Sequence, residues 1–445
     1  MLALRFSILP RVSKLKAMAF RRSALTNLNL VINAGSTSVK FALFKRKEGS
    51  PVELCRGEVE GVGSNVRFMI HDRGVIDQRN WKPPSDICTT IRSVDDAFEL
   101  IANWLKSCIP SERITSVVYR VVHGGNTYTK PVYITDGVLE QLELLVPLAP
   151  LHQSVCLKAI RTFMKKLPNT HHIACFDTAF HRSMPRVAQT FALPQYLHLQ
   201  GIKPYGFHGL SYQYIAGRLL EHSAGNMPRR TIIAHLGGGA SICALLNGKS
   251  ISTSMTFSPL DGLAMATRSG AIDASAVIYL IEQLNYSPSE VTNILNKESG
   301  LLGLSGLSGD IRVLLNSDCD NAKFALEFYV DRISREIGAM ITSLKGIDTL
   351  VFTGGVGSNS AEIRKRVCAN FDWLGMSLDS AANEKNSKIL SNTDSLVEVC
   401  SIKTDEEMLM ATLVNIDFDS LHSDGLKHEK IANEQENEVL AIELN

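Results

Sequence analysis

The 445-residue sequence lacks any run of about 18 apolar residues, the length that a membrane-spanning helix needs, so we expect no membrane partner. It also lacks an excess of charge: 46 Lys and Arg residues face 45 Asp and Glu residues, a formal net charge of +1. Because a nucleic-acid footprint needs a strongly basic face, we expect no nucleic-acid partner. What remains is a globular protein of about two or three domains, with 45% apolar residues to fill their cores.

The spacing of the cysteines follows no pattern that is typical of a metal site or a disulfide framework. The nine cysteines include no CxxC pair, which argues against a zinc site and against a disulfide framework. An odd, scattered set in a chain of this size is typical of reduced thiols in an intracellular protein. We therefore expect a cytoplasmic protein.

The two ends of the chain differ in composition from the rest. Residues 1–27 contain six basic residues and no acid, as in a mitochondrial transit peptide. A disordered tail upstream of a start at Met18 is an equally open interpretation, so a mitochondrial location stays as the alternative. Residues 421–445 form a polar tail that we expect to be disordered.

Three stretches share a design in which an apolar strand runs into small residues. The first is residues 28–44, the second is Thr231–Ser250 with Gly237–Gly239 in its loop, and the third is Thr349–Thr353 followed by a glycine loop over 354–360. Such loops allow backbone N–H groups to approach a phosphate, although the second alone could be an ordinary hairpin. The recurrence of the first two stretches about 200 residues apart indicates a duplicated architecture with one phosphate loop in each half.

Two familiar phosphate motifs do not fit. Gly248-Lys249-Ser250 resembles the end of a P-loop, but Cys243 stands where the first glycine is required, and Asn247-Gly248 is typical of a type I′ hairpin turn. Gly355-Val356-Gly357 resembles a dinucleotide fingerprint, but Ser360 stands at the third glycine position. Neither motif predicts the fold.

Several polar side chains follow apolar strands or lie in glycine-hinged loops. Asp177 ends a short apolar strand, a position where α/β folds place site residues. His208 lies in a loop flanked by Gly206 and Gly209, and Arg268 lies in a polar, glycine-punctuated segment. Helices and strands alternate along the chain, which predicts a mixed α/β fold.

Ten ordered motifs, from residue 28 to residue 413, resemble the acetokinase family of the acetate and sugar kinase, heat-shock cognate and actin superfamily. They are VINAGSTSVKF, RVVHGG, LAPLH, FDTAFH, PYGFHG, HLGGGAS, TSMTFSPLDGLAMATRSG, SGLLGLSG, FTGGVGSNSAEIR and TDEE. The resemblance implies an α/β fold of two duplicated actin-like, or ribonuclease H-like, domains around a nucleotide cleft. Domain I would span 28–178 and 406–420, and domain II, with the nucleotide site, would span 179–405.

The resemblance also implies the reaction. It would be reversible, Mg²⁺-dependent phosphoryl transfer between ATP and acetate, giving acetyl phosphate and ADP by direct in-line transfer, with Mn²⁺ as a possible replacement metal. Because a carboxylate is already an anionic nucleophile, catalysis needs positioning and charge neutralisation more than a strong base. Propionate or butyrate as the acceptor, and a non-catalytic nucleotide-binding protein, remain alternatives. A homodimer is expected.

The roles that the resemblance implies fall on four groups of residues. The catalytic residues would be Asp177, His208 and Arg268, and the magnesium ligands would be Asn33 and Glu406. The acceptor would bind Arg120, whose planar guanidinium suits a carboxylate, and an acyl pocket of Val122, Leu151, Phe207 and Pro259. The nucleotide would bind Lys40, His235, Leu236, Gly237, Gly238, Gly239, Asp310, Ile311, Arg312, Gly354, Gly355, Val356, Gly357 and Ser358. Other interpretations stay open: Glu406 as an ordinary helix-start acid, and the pocket residues as generic core.

The chain departs from the family pattern next to these residues. The departures are Tyr119, Gln153, Leu210, Tyr212, Gly238, Ala271 and Ser358, which stand where His, Asn, Thr, His, Asn, Asp and Glu are usual. The central site residues are kept, namely Asn33, Lys40, Arg120, Asp177, His208, Arg268 and Glu406. We therefore expect activity, with an altered nucleotide affinity.

Overall fold

The structure, a computed structural model, describes residues 27–35, 37–47, 50–63, 65–76, 81, 87–222, 225 and 229–416. The expectations for residues 1–26, for the phosphate-loop residue Ser36 and for the polar tail lie outside the described residues. Within them, no helix is long and apolar enough to cross a membrane. Eight cysteines have thiols outside any disulfide, and all of these but Cys319 are buried; they are Cys55, Cys108, Cys156, Cys175, Cys243, Cys319, Cys368 and Cys400.

The described chain forms two compact units. The first comprises the chain up to Gly124, Lys130–Phe176 and the chain from Glu406 onward; the second comprises Gly125–Thr129 and Asp177–Asp405. Residues 125–129 and 177–178, which were predicted to belong to domain I, group with the second unit. The reason at the second boundary is a 3₁₀ segment, Asp177–Ser183, which packs against a strand and a helix of that unit.

The first unit is built on a seven-stranded sheet. Its strands are β1 (Leu28–Ala34), β2 (Ser38–Lys45), β3 (Val52–Glu60), β4 (Arg67–Asp72), β5 (Ile114–Val121), β6 (Val132–Tyr133) and β7 (His171–Phe176), in the order β4-β3-β2-β1-β5-β7-β6. Its helices are α1 (Ile87–Thr90), α2 (Val94–Cys108), α3 (Asp136–Leu144), α4 (Pro150–Lys166) and, from the end of the chain, α15 (Glu406–Ile416). The central strand β1 is almost wholly buried, as expected for a strand covered on both faces.

The second unit is built on a five-stranded sheet in the order β10-β9-β8-β11-β12. Its strands are β8 (Arg230–Leu236), β9 (Ala240–Leu246), β10 (Lys249–Thr253), β11 (Thr349–Thr353) and β12 (Glu398–Ser401). Its helices are α5 (Gln195–Leu199), α6 (Gly209–His222), α7 (Ala274–Glu282), α8 (Pro288–Asn293), α9 (Gly300–Ser305), α10 (Ile311–Leu315), α11 (Asp320–Leu344), α12 (Gly354–Asn359), α13 (Ala361–Ala369) and α14 (Ser380–Glu384).

The two sheets share one topology. In the first unit β3, β2 and β1 are antiparallel, and β5 and β7 then continue parallel to β1. In the second unit β10, β9 and β8 are antiparallel, and β11 and β12 continue parallel to β8. The predicted duplicated α/β fold is therefore confirmed. In each unit the carboxyl ends of neighbouring parallel strands meet at one edge, where such folds place their ligands.

The sequence predicts the conformation of three turns and loops, at residues 247–248, 299–310 and 354–360. Asn247 and Gly248 both have positive φ, 50° and 76°, so the type I′ hairpin is confirmed. The glycine loop predicted over 354–360 is wrong, because residues 354–359 form the helix α12. The glycine-serine loop predicted over 299–310 likewise contains a helix, α9.

Candidate active site

Three of the predicted residues of the first unit meet at the edge of its sheet. Asn33 lies in β1 one residue before its end, Arg120 lies near the end of β5, and Glu406 begins α15. Asn33 Nδ2 donates to Glu406 Oε2 at 3.0 Å, and Arg120 Nη1 donates to Asn33 Oδ1 at 3.4 Å. Arg120 Nε lies 3.9 Å from Glu406 Oε2, with both side chains less than a fifth exposed. The proposed acceptor and metal residues thus form one cluster.

Glu407 belongs to the same cluster, although the sequence analysis did not select it. Asn33 Nδ2 donates to Glu407 Oε1 at 2.7 Å, and Glu407 is 7% exposed. The acidic pair in the TDEE motif was the available signal. Two adjacent carboxylates and one amide oxygen make a hard-oxygen donor set, which suits Mg²⁺.

Lys40 is the cross-strand neighbour of Asn33 in the β1–β2 pair. On its other side it pairs with Glu58 of β3. Burial raises the pKa of Glu58, while the Lys40 ammonium opposes that shift. Because directly paired residues share a sheet face, Lys40 presents its cation on the face that carries Asn33.

The four predicted acyl-pocket residues divide between the units. Val122 and Leu151 belong to the first unit; Val122 is buried, and Leu151, in the first turn of α4, is 40% exposed. Phe207 and Pro259 belong to the second unit, and both are buried. Their grouping into one pocket stays a prediction.

In the second unit the two glycine segments predicted to bind nucleotide lie side by side. Gly237–Gly239 follows β8, and α12 follows β11, its parallel neighbour, with Thr353 paired to His235. A Cβ added to Gly237 would lie 3.6 Å from the backbone nitrogen of Gly355. Gly354 has φ of 79°, and a Cβ there would lie 2.5 Å from the Leu236 carbonyl oxygen, so the close approach requires glycine.

Gly239 is the meeting point of two predicted catalytic side chains. A Cβ added to Gly239 would lie 2.9 Å from Arg268 Nη2 and 3.3 Å from His208 Nε2. Arg268 is oriented by a hydrogen bond from Nη1 to the Pro259 carbonyl oxygen at 2.6 Å. A guanidinium and an imidazole therefore converge on the backbone of the second glycine loop. Two nitrogen donors so placed can bind oxygens of a phosphoryl group.

The local backbone of His208 is constrained. It has φ of 55°, in the left-handed region that few non-glycine residues adopt. Its ring stacks on His235, with the centroids 4.3 Å apart, and its Nδ1 lies 2.7 Å from Ser241 Oγ. His235 Nδ1 in turn lies 2.8 Å from Ser211 Oγ. Strained backbone of this kind tends to occur at functional sites.

His181, in the FDTAFH motif, supports the His208 loop and was not selected from the sequence. Its Nε2 donates to the Phe207 carbonyl oxygen at 2.8 Å, and its Nδ1 accepts from Ser250 at 2.9 Å. Burial lowers the pKa of His181 to about 4, so it stays neutral. A Cβ on Gly206 would lie 2.4 Å from the His181 ring, which ties that glycine to this packing.

Asp177 begins the 3₁₀ segment and is buried. Its backbone carbonyl oxygen would lie 1.9 Å from a Cβ on Gly209, the residue after His208. Asp177 and the His208 loop are therefore in backbone contact. Whether the Asp177 carboxylate orients Arg268 stays a prediction.

The other predicted nucleotide residues lie around short helices. Asp310 caps α10, accepting from the Arg312 backbone at 2.8 Å, and the Arg312 guanidinium binds it and lowers its pKa. Ser358 lies in α12 and is 2% exposed. Arg364, fully buried in α13, donates from Nη1 to the Gly357 carbonyl oxygen at 2.9 Å and so holds the end of α12.

Comparisons with known proteins find matches over most of the chain. The model of the acetokinase family matches residues 28–412. The chain is 42% identical to an acetate kinase of Methylocella silvestris, over 86% of this chain and 96% of that protein. It is 41% identical to an acetate kinase of Rickettsia akari, over 86% of this chain and 97% of that protein.

Solved structures of similar proteins cover the same length. A propionate kinase of Francisella tularensis superposes with a TM-score of 0.76 at 34% identity, covering 87% of this chain and 99% of its own. The acetate kinase of Porphyromonas gingivalis superposes with a TM-score of 0.74 at 33% identity, covering 88% of this chain and 100% of its own. These likenesses confirm the fold class predicted from the sequence.

Proposed function

The chain belongs to the acetokinase family, and from that premise we propose that it transfers a phosphoryl group reversibly between ATP and acetate. The observation that carries the proposal is the convergence of Arg268 and His208 on Gly239. Phosphoryl transfer to a carboxylate needs no proton removal from the acceptor. It needs donors at the oxygens of the transferring group, which is what these two side chains supply.

In the second unit, the backbone N–H groups of the two glycine segments bind the nucleotide phosphates. Residues 237–239 and 354–358 lie next to each other at the ends of β8 and β11, which supports a shared ligand. Asp310–Arg312 lies near the adenosine, as the resemblance implies. Arg268 and His208 bind the equatorial oxygens of the phosphoryl group, where negative charge must be neutralised during transfer.

In the first unit, Arg120 binds the acceptor carboxylate. Its guanidinium has Nη1 on Asn33 and Nε near Glu406, and this pairing fixes the direction of its remaining donors. Asn33 and Glu406, with Glu407 beside them, offer oxygens that fit Mg²⁺. A bound Mg²⁺ would neutralise charge on the nucleotide phosphates, and Mn²⁺ would serve in the same donor set.

Acetate is the favoured acceptor because the relatives with about 40% identity are named acetate kinases. The propionate kinase structure keeps propionate as the second candidate. The two acids differ by one methylene, which a hydrophobic pocket discriminates by only about 1–3 kcal/mol. The resemblance assigns the acyl chain to Val122 and Leu151 in the first unit and to Phe207 and Pro259 in the second.

Acyl phosphate formation with acetate, propionate and butyrate as single acceptors tests the choice of substrate. We expect the highest kcat/KM with acetate, a value within about two orders of magnitude of it for propionate, and a lower one for butyrate. A higher kcat/KM for propionate than for acetate would move the assignment to propionate kinase. Each reaction should be run with and without a Mg²⁺ chelator, because turnover without metal would contradict the assigned cofactor.

We also propose that the protein is a cytoplasmic homodimer. The observation that supports dimerisation is α7, an apolar helix in which no residue is buried. Ile278 and Tyr279 on it are 52% and 56% exposed, and Ile272 and Leu284 beside it are 48% and 52% exposed. An exposed apolar patch of this kind is typical of a protein interface.

A further inference from the structure

A chain of hydrogen bonds runs from the protein core to His208. Tyr212, in the first turn of α6, bonds through its hydroxyl to Ser241 Oγ in β9. Ser241 Oγ in turn lies 2.7 Å from His208 Nδ1. Tyr212 and Ser241 are fully buried, so water does not compete for these bonds. Tyr212 is also one of the positions at which the chain departs from the family pattern.

The protons available on Tyr212 and Ser241 determine which group donates in each of these hydrogen bonds. Burial raises the pKa of the Tyr212 phenol well above its usual value, so the phenol keeps its proton. Within the described part of the chain, its hydroxyl has Ser241 Oγ as its hydrogen-bond partner. Because a buried hydroxyl proton is costly to leave without an acceptor, Tyr212 donates to Ser241. The single proton of Ser241 then goes to His208 Nδ1.

A ring nitrogen that accepts a hydrogen bond carries no proton. With Nδ1 as the acceptor, a neutral His208 must carry its proton on Nε2. Nε2 lies 3.3 Å from the position that a Cβ on Gly239 would occupy. Arg268 Nη2 lies 2.9 Å from the same position. The N–H bond is therefore presented beside the guanidinium.

The two hydrogen bonds of Ser241 also favour the neutral ring over the imidazolium. An imidazolium would donate from Nδ1, so Ser241 Oγ would accept from both Tyr212 and His208. The Ser241 proton could then reach neither of these two partners.

We propose that Tyr212 and Ser241 are positioning residues that hold His208 as the neutral Nε2–H tautomer, so that it donates one hydrogen bond toward the Gly239 backbone position. The tautomer follows from the hydrogen bonds alone. Its use, donation to the phosphoryl group, rests on the proposed function.

Nitrogen-15 NMR of histidine-labelled protein tests the tautomer directly. His208 is assigned by the signal that disappears in His208→Asn, since Asn tolerates a left-handed φ. We expect the wild-type protein at neutral pH to show an unprotonated Nδ1 and a protonated Nε2. Tyr212→Phe and Ser241→Ala should each increase the Nδ1–H form. A protonated Nδ1 in the wild type, or an unchanged pattern in both variants, would overturn the proposal.

Kinetics separate positioning from general structural damage. Tyr212→Phe should lower kcat on the order of tenfold with little change in KM, less than the roughly 100- to 1000-fold cost of removing a preorganised donor entirely. Tyr329→Phe is the matched control, because the Tyr329 hydroxyl is buried in α11 without a hydrogen-bond partner among the described residues. It should change neither the His208 signals nor kcat. If no acyl phosphate forms at all, the NMR result still decides the tautomer, so failure of the function and failure of this inference are distinguishable.

Discussion

At the scale of single residues, the three glycines that follow β8 have different surroundings. Gly238 has open space where a Cβ would be, whereas a Cβ on Gly239 would press on Arg268 and His208. Gly238 is also the position where the family pattern has Asn. The departure therefore falls on a tolerant position, and the neighbouring glycine carries the steric constraint.

Gly239→Ala should lower kcat by about 100-fold or more, because the new methyl group displaces two phosphoryl donors from their positions. Steady-state kinetics with ATP and acetate measure the effect. Gly238→Ala, one residue away with no atom within 4 Å of the new Cβ, is the matched control and should keep kcat. Equal kcat values for the two variants would contradict the proposed contact of His208 and Arg268 with the reacting phosphoryl group.

Sequence reasoning at this scale identified the charged residues and missed the neutral ones that support them. Arg268 and His208 stand out because charge in a glycine-rich segment is unusual. Ser241 looks like an ordinary strand residue, and its bond to His208 arises only when β9 packs against the loop at His208. The role of such hydroxyls depends on partners 29 and 33 positions away, which no local pattern specifies.

At the scale of elements, α15 brings the end of the described chain to its beginning. It places Glu406 and Glu407 on Asn33, across 373 and 374 positions of sequence. An ordinary helix-start acid is the other interpretation of Glu406 that its sequence position allows. It is in the first turn, and it also belongs to the cluster at the end of β1.

Glu406→Gln should raise the Mg²⁺ concentration for half-maximal activity roughly tenfold or more, because an amide replaces an anionic oxygen ligand. A titration of rate against Mg²⁺ at saturating ATP and acetate measures this shift. Glu384→Gln, at an exposed position of α14, should leave the titration unchanged. An unchanged requirement in the Glu406 variant would support the helix-start interpretation instead.

The helix α12 shows where local reasoning fails at this scale. Its sequence, GGVGSN, has three glycines, each of which costs about 1 kcal/mol in a helix, so a loop was the reasonable prediction. Tertiary contacts reverse that preference. Gly354 packs against the Leu236 carbonyl, and the buried Arg364 binds the Gly357 carbonyl at 2.9 Å.

At the scale of the whole molecule, two sheets of one topology carry two different sets of side chains. The duplication was predictable, because strand–small-residue–strand patterns recur in the sequence. The family resemblance implies that Arg120, Asn33 and Glu406 of the first unit serve the acceptor carboxylate and the metal, and that Arg268 and His208 of the second unit serve the phosphoryl group. The side-chain clusters of the two units differ: Arg120 lies beside Asn33 and Glu406 in the first, and Arg268 and His208 lie beside Gly239 in the second.

The dimer can be tested on α7. Replacing Ile278 and Tyr279 with Asp should convert the protein from a dimer to a monomer in sedimentation velocity, because two charges would be buried in an apolar interface. Phe324→Asp is the control, since Phe324 is 53% exposed on α11, away from this helix in sequence. A wild-type monomer, or a variant that still sediments as a dimer, would remove α7 from the interface.

The central claim is that this chain makes an acyl phosphate through Arg268. The most direct measurement is the initial rate of acetyl phosphate and ADP formation by the wild type and Arg268→Ala, with ATP binding measured on the same samples. We expect equal amounts of both products from the wild type, and a loss of kcat of about 100-fold or more in the variant with ATP binding retained. ATP binding without turnover in the wild type, or near-normal turnover in Arg268→Ala, would contradict the account.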